Sequence, residues 1–211
     1  MKVWIGILGL PFVAGVAVGA ARLPANAESQ WVLDHCTQQS SFSTTWRRVD
    51  ARAYSSSAEG DGYDYGGGCW NGDGADNTPN QDGYHNSVGE GADCSGFTYK
   101  SWAMKNDYGT ARRYWPPLSN KLPEAHGPYT AEDFKLGTGA VDQLPNKNYG
   151  TTQRMDAFAS TDHVGMIYTE LSDGADKIAE AKDQQTGMGI FERSYRSSTS
   201  YSASERSVWD T

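Results

Sequence analysis

The chain has 211 residues, with 18 Lys and Arg against 26 Asp and Glu, a formal net charge of −8. That balance opposes binding to nucleic acid and to anionic membrane surfaces, and it says little about a peptide substrate. The length suits a single domain and nothing repeats internally.

Residues 1–27 read as an export signal. Lys2 supplies a short positive start, Val3 to Ala21 is an uncharged apolar run, and Ala25-Asn26-Ala27 has the small-x-small form of a cleavage site. The run is long enough to act as an uncleaved anchor, but Pro11, the repeated glycines and the cleavage site favour removal. Cleavage takes away Lys2 and Arg22 and no acids, so the formal charge of residues 28–211 is −10. The expectation is a secreted monomer with no stable membrane association after signal removal.

Three cysteines then have to be placed: Cys36, Cys69 and Cys94. In an exported chain Cys36 can pair with Cys69, Cys69 can pair with Cys94, or all three can stay reduced. His35-Cys36 is adjacent and no Cys-x-x-Cys spacing occurs, so neither a metal site nor a cofactor is expected.

Trp46 to Tyr54 predicts a helix, with Trp46, Val49 and Ala53 on one face. From Ser55 to Gly91 the chain is dense in Gly, Asp and Asn and reads as loop. Within it Asn71-Gly72-Asp73-Gly74-Ala75-Asp76-Asn77 is oxygen-rich like a calcium loop. It lacks the spacing and the closing Glu of an EF-hand, so a solvated turn is expected.

The stretch Gly91-Ala92-Asp93-Cys94-Ser95-Gly96-Phe97 follows. Asp93 suits an N-cap, and the residues from Thr98 to Lys105 contain no Pro or Gly, which predicts a helix with Cys94 on its first turn. Unpaired N–H groups and the positive end of the helix dipole favour a thiolate there. Tyr114-Trp115-Pro116-Pro117 ends any helical run, and residues 118–150 read as loops with short elements. A sheet starts at Asp156-Ala157-Phe158-Ala159. His163 to Tyr168 predicts a strand, Ser172 to Ala175 a turn, Lys177 to Ala181 the antiparallel return, and Glu192 to Tyr195 and Ser207 to Trp209 further strands. A cysteine on a helix start followed far downstream by a histidine on a strand is the usual order of a cysteine hydrolase.

Asp93-Cys94-Ser95-Gly96-Phe97 together with His163-Val164-Gly165-Met166-Ile167-Tyr168 resembles the NlpC-type bacterial cell-wall cysteine peptidases. Tyr63-Asp64-Tyr65-Gly66-Gly67 is similar to that family's Tyr-x-Tyr-Gly-Gly element, and Ile178-Ala179-Glu180-Ala181 falls where the family carries its third polar residue. The resemblance covers roughly residues 46–195 and implies an α+β, papain-like fold, with the nucleophile-bearing helix packed on a small antiparallel sheet. It makes residues 70–92 an insertion of roughly twenty residues.

By this resemblance Cys94 is the nucleophile, His163 the base and Glu180 the group that orients the ring, although family members mostly carry His, Asn or Gln at that place. A simple ladder about Asp173-Gly174 sets Gln184 opposite His163 and makes it the reserve. Tyr63 is placed close to the thiolate, Asp93 and Ser95 receive the substrate's amine end, and a free Cys94 calls for a Cys36–Cys69 bridge. His35, His85 and His126 lie outside any motif and read as surface loop histidines; Trp70, Tyr84 and Trp115 are candidates to line a groove. The expected activity is cleavage of an amide bond in peptidoglycan stem or cross-bridge peptides. The alternatives are a peptidoglycan amidase of CHAP-like type and a catalytically idle wall-binding or antagonistic protein.

Overall fold

The computed structural model describes residues 43–79, 89–104, 126–171 and 174–209. Residues 1–27, His35, Cys36, Tyr84, His85 and Tyr114-Trp115-Pro116-Pro117 lie outside the described residues.

The described chain is α+β. In order it forms α1 (Arg48–Ser56), β1 (Gly68–Cys69), β2 (Gly91–Ala92), α2 (Cys94–Ser101), α3 (Ala131–Leu136), β3 (Val141–Gln143), β4 (Ala157–Ala159), β5 (Val164–Glu170), β6 (Asp176–Asp183), β7 (Gly187–Arg193) and β8 (Ser202–Arg206). β1 and β2 pair as a small ribbon; the other strands form a six-stranded antiparallel sheet in the order β3-β8-β4-β5-β6-β7. Among the described residues no helix is long and apolar enough to cross a membrane.

The sheet is covered on both faces, and the two-residue period of its strands divides them. Val164, Met166, Ala179 and Ala181 join the main core with Cys94, Phe97, Trp102 and Phe134. Phe158, Ile167, Ile178 and Ala203 form a second cluster, flanked by Leu144, Tyr195 and Tyr201. Every residue of α2 is buried, including Lys100. A helix enclosed on all sides belongs to the core, and this one packs on β5 and β6.

α1 forms as its periodicity predicts, but another face packs. Ala51 and Ser55 are buried, whereas Val49 is 60% exposed. Small residues let the helix lie close, and the large side chains at its edge supply the contact: Trp46 donates its indole N–H to the Ser101 carbonyl at 2.8 Å, and Tyr54 meets Trp70 with ring centroids 5.0 Å apart. Trp70 is 1% exposed and therefore belongs to the core instead of lining a groove.

The glycine-rich loop is tied down by two buried carboxylates. Asp61 accepts the N–H groups of Gly72 and Gly74, each at 2.9 Å, and Glu90 accepts those of Asn71 at 3.1 Å and Asn77 at 2.6 Å. Asp73 joins them, one oxygen from each of the three lying within 4.8 Å of the others. The expected solvated turn is thus a turn wrapped around buried acids, and Glu90 ends it one residue before β2 and the Cys94 stretch.

Burial pushes the Glu90 carboxyl from 4.5 up to about 7, against the pull of its two N–H donors. The folded chain holds this proton more tightly than the unfolded chain does. Stability from this group is therefore full below about pH 4.5 and is lost as pH rises through about 7. The loss amounts to about 3 kcal/mol at most. Thermal unfolding of wild type and Glu90→Gln between about pH 5 and 8 checks the sign: Tm should fall more steeply in the wild type, and parallel curves would count against it.

Cys69 is disulfide-bonded and Cys94 is a free thiol. Both described cysteines are thus in the states that a Cys36–Cys69 bridge requires, and a Cys69–Cys94 bridge is excluded.

Candidate active site

Asp93 caps α2 as its sequence predicts. Its backbone is extended, and its Oδ1 accepts the Gly96 N–H at 2.8 Å. The helix start is pressed against the Gly66-Gly67 turn. Gly66 donates its N–H to Asp93 Oδ2 at 3.0 Å, and Asp93 donates its own to the Gly67 carbonyl at 3.1 Å. A side chain at position 96 would overlap that same Gly67 carbonyl, so only glycine fits there. Cys94 on the first turn is placed by these contacts of its neighbours.

The Cys94 sulfur lies 4.0 Å from the Asp162 carbonyl oxygen and receives the N–H of Val164. It is therefore lodged against the backbone on both sides of His163. That turn is built by Ser160, whose hydroxyl accepts the His163 N–H at 3.0 Å and whose N–H reaches the His163 carbonyl at 2.8 Å. The His163 ring is 20% exposed, and its Nε2 meets Glu180 Oε2 at 2.6 Å. No described residue hydrogen-bonds Nδ1, which leaves that nitrogen to take a proton.

Glu180 is fully buried on β6, the strand beside edge strand β7. It accepts from His163, from the Tyr195 hydroxyl at 2.7 Å and from the Arg193 guanidinium. Burial alone would raise the carboxyl, but these donors outweigh it and hold Glu180 below the usual carboxylate range. Gly165 is what makes room: a Cβ there would lie 2.5 Å from Ile178 Cγ2 and 3.2 Å from Glu180 Cβ. The register sets Met166 opposite Ala179, and a bulge between Ile167 and Thr169 shifts the ladder. Glu180 thus reaches His163, while the reserve Gln184 falls beyond β6 and is exposed.

The electrostatics of the thiol differ from expectation. Cys94 is 8% exposed. Burial and the Asp93 charge push its thiol up, and the N–H groups of Val164, Ser95 and Cys94 itself pull the other way without prevailing. Helix-start donors favour a thiolate only to the extent that the site is not also desolvated. Tyr63 is placed near the thiol: its hydroxyl is pushed up by burial and by the charges of Asp93 and Cys94. It lines a cavity of about 390 Å³ with Tyr65, Lys182, Asp183, Gln184 and Gln185.

His126 corrects the reading of it as a surface histidine. Its side chain is 13% exposed, and its Nε2 lies 3.0 Å from both Asp93 oxygens and 3.1 Å from Ser95 Oγ. Asp93 and Ser95 are 6% and 5% exposed and are joined by a 2.9 Å hydrogen bond. They are joined to each other and to His126, and Asp93 also caps the helix. The trio is not a serine relay either, because one nitrogen serves both Ser95 and Asp93, whereas a relay needs one ring nitrogen for each.

Sequence reading missed His126, Arg193, Tyr195 and Tyr201. Tyr201 stacks on Tyr195 with centroids 4.1 Å apart, and it lies close enough to Glu180 and Cys94 that both charges raise its hydroxyl, after burial. Compared with family models, curated proteins and solved structures, the chain matches none.

Proposed function

We propose that the protein is an exported thiol hydrolase of papain-like type that cuts an amide bond in peptidoglycan stem or cross-bridge peptides. The observation that carries this reading is His163. Its Nε2 is fixed by a buried carboxylate at 2.6 Å, and the Cys94 sulfur is lodged on the backbone at both of its neighbours. In the reaction Cys94 gives its proton to His163 and attacks the carbonyl carbon. The oxyanion is received by the N–H groups at the start of α2, and His163 then protonates the leaving amine. Water repeats the sequence on the thioester, releasing the acid and restoring the thiol. Glu180 keeps the ring in its tautomer and balances the imidazolium. No cofactor is called for. The peptidoglycan substrate and the secreted location rest on the resemblance to NlpC-type peptidases and on residues 1–27.

A second reading, an idle scaffold that binds wall polymers, is favoured by one observation: burial leaves Cys94 only 8% exposed and its thiol pushed up. Mass spectrometry of purified peptidoglycan treated with wild type or Cys94→Ala separates the two. New peptide amines with wild type alone mark a peptidase, and release of intact stem peptides from glycan marks an amidase. Unchanged muropeptides with both proteins would overturn the hydrolase.

A further inference from the structure

His126 carries a charge that its partners fix. Its Nδ1 lies 2.7 Å from the Gly127 carbonyl oxygen, which only accepts, so that nitrogen carries a proton. Its Nε2 faces both oxygens of Asp93 at 3.0 Å. Those oxygens also accept the N–H groups of Gly66 and Gly96 and the Ser95 hydroxyl, so the carboxylate is ionised and Nε2 carries a proton as well. The ring is an imidazolium. The directions agree: Asp93 is held below its usual range and His126 above, the pair outweighing in each case the burial that opposes charge.

This matters because Asp93 is the residue before Cys94, and its negative charge works directly against a thiolate. An aspartate is a good cap and a poor neighbour for a sulfur that must ionise. We propose that His126 is a positioning residue of the thiol site: an imidazolium that neutralises the Asp93 carboxylate, so that Cys94 ionises beside a neutral pair instead of an anion. The proposal rests on Cys94 being the nucleophile. The other ionisable groups that act here are Lys100 on His126, Tyr63 and Tyr201 on the thiol, and His163 beyond it.

The test is the pH dependence of Cys94 alkylation by iodoacetamide, with the modified peptide identified by mass spectrometry. This readout needs no substrate, so it decides the proposal even if wild type cuts no peptidoglycan. Removing the cation with His126→Gln is expected to move the alkylation midpoint up by about one pH unit or more, slowing alkylation at a fixed pH about tenfold. In the Asp93→Asn/His126→Gln double variant no anion remains to be neutralised, and the midpoint should return to the wild-type value or below. Asp93→Asn alone keeps a good cap and should leave the midpoint unchanged or lower it. If His126→Gln does not fold, Asp93→Asn decides alone, and an upward move there overturns the proposal. An unmoved midpoint in folded His126→Gln, or an equal rise in the double variant, overturns it too.

Discussion

His163→Ala is expected to reduce hydrolysis of purified peptidoglycan about a hundred- to ten-thousand-fold, the range general-base catalysis supplies. The loss should approach that of Cys94→Ala, because a nucleophile whose thiol is pushed up by burial depends on a partner to take its proton. The two residues act as one unit, so the double variant should be little worse than either single one. The site predicts the mechanism of loss as well. His163 neither caps α2 nor fills the core, and Glu180 keeps Arg193 and Tyr195 without it, so the melting temperature should fall less than in Glu180→Ala while turnover collapses. Steady-state rates for the three variants, with thermal unfolding beside them, check both halves. A His163→Ala protein within about tenfold of wild type would remove the base from the scheme.

The second large effect falls on stability and turnover together. Glu180 is fully buried and satisfies three donors, His163, Tyr195 and Arg193. Glu180→Ala strands all three around a void. Breaking a buried ion pair by removing one partner costs about 3–5 kcal/mol, and the lower end applies because the Arg193 side chain is a quarter exposed. Glu180→Gln keeps an acceptor for one donor and should cost less in both measures, ranking between wild type and alanine. Gln184→Ala is the control and should match wild type in unfolding and in rate. If it is crippled while Glu180→Ala turns over normally, the orienting residue is misassigned.

Local chemistry was legible in the sequence. The Asp93 cap, Cys94 on the first helical turn and the hairpin that carries His163 and Glu180 all follow from cap preference and alternation, and all are present. The limits fall where tertiary contact decides. A straight ladder about the Asp173-Gly174 turn pointed to Gln184; the bulge after Ile167 sets a different register, and bulges leave little trace in composition. α3 and β3 went unseen because each is short and rests on packing against distant strands. The thiol was expected to be acidic from its helix position alone, but desolvation depends on what the fold lays over it. His126 is 33 residues from its partner Asp93 and belongs to no motif, so only the folded chain could join them.

The sulfur of Cys94 rests on the carbonyl of a residue 68 positions away. The hairpins of β5, β6 and β7 close over short sequence distances and can form early, carrying His163 and Glu180 with them. Cys94 docks only when a much longer loop closes, at a greater entropic cost. The thiol therefore meets the His163 turn only after this longer closure. An extended chain, whether nascent, in transit or denatured, carries an isolated cysteine with no base beside it. For the proposed hydrolase, activity comes only with the folded chain.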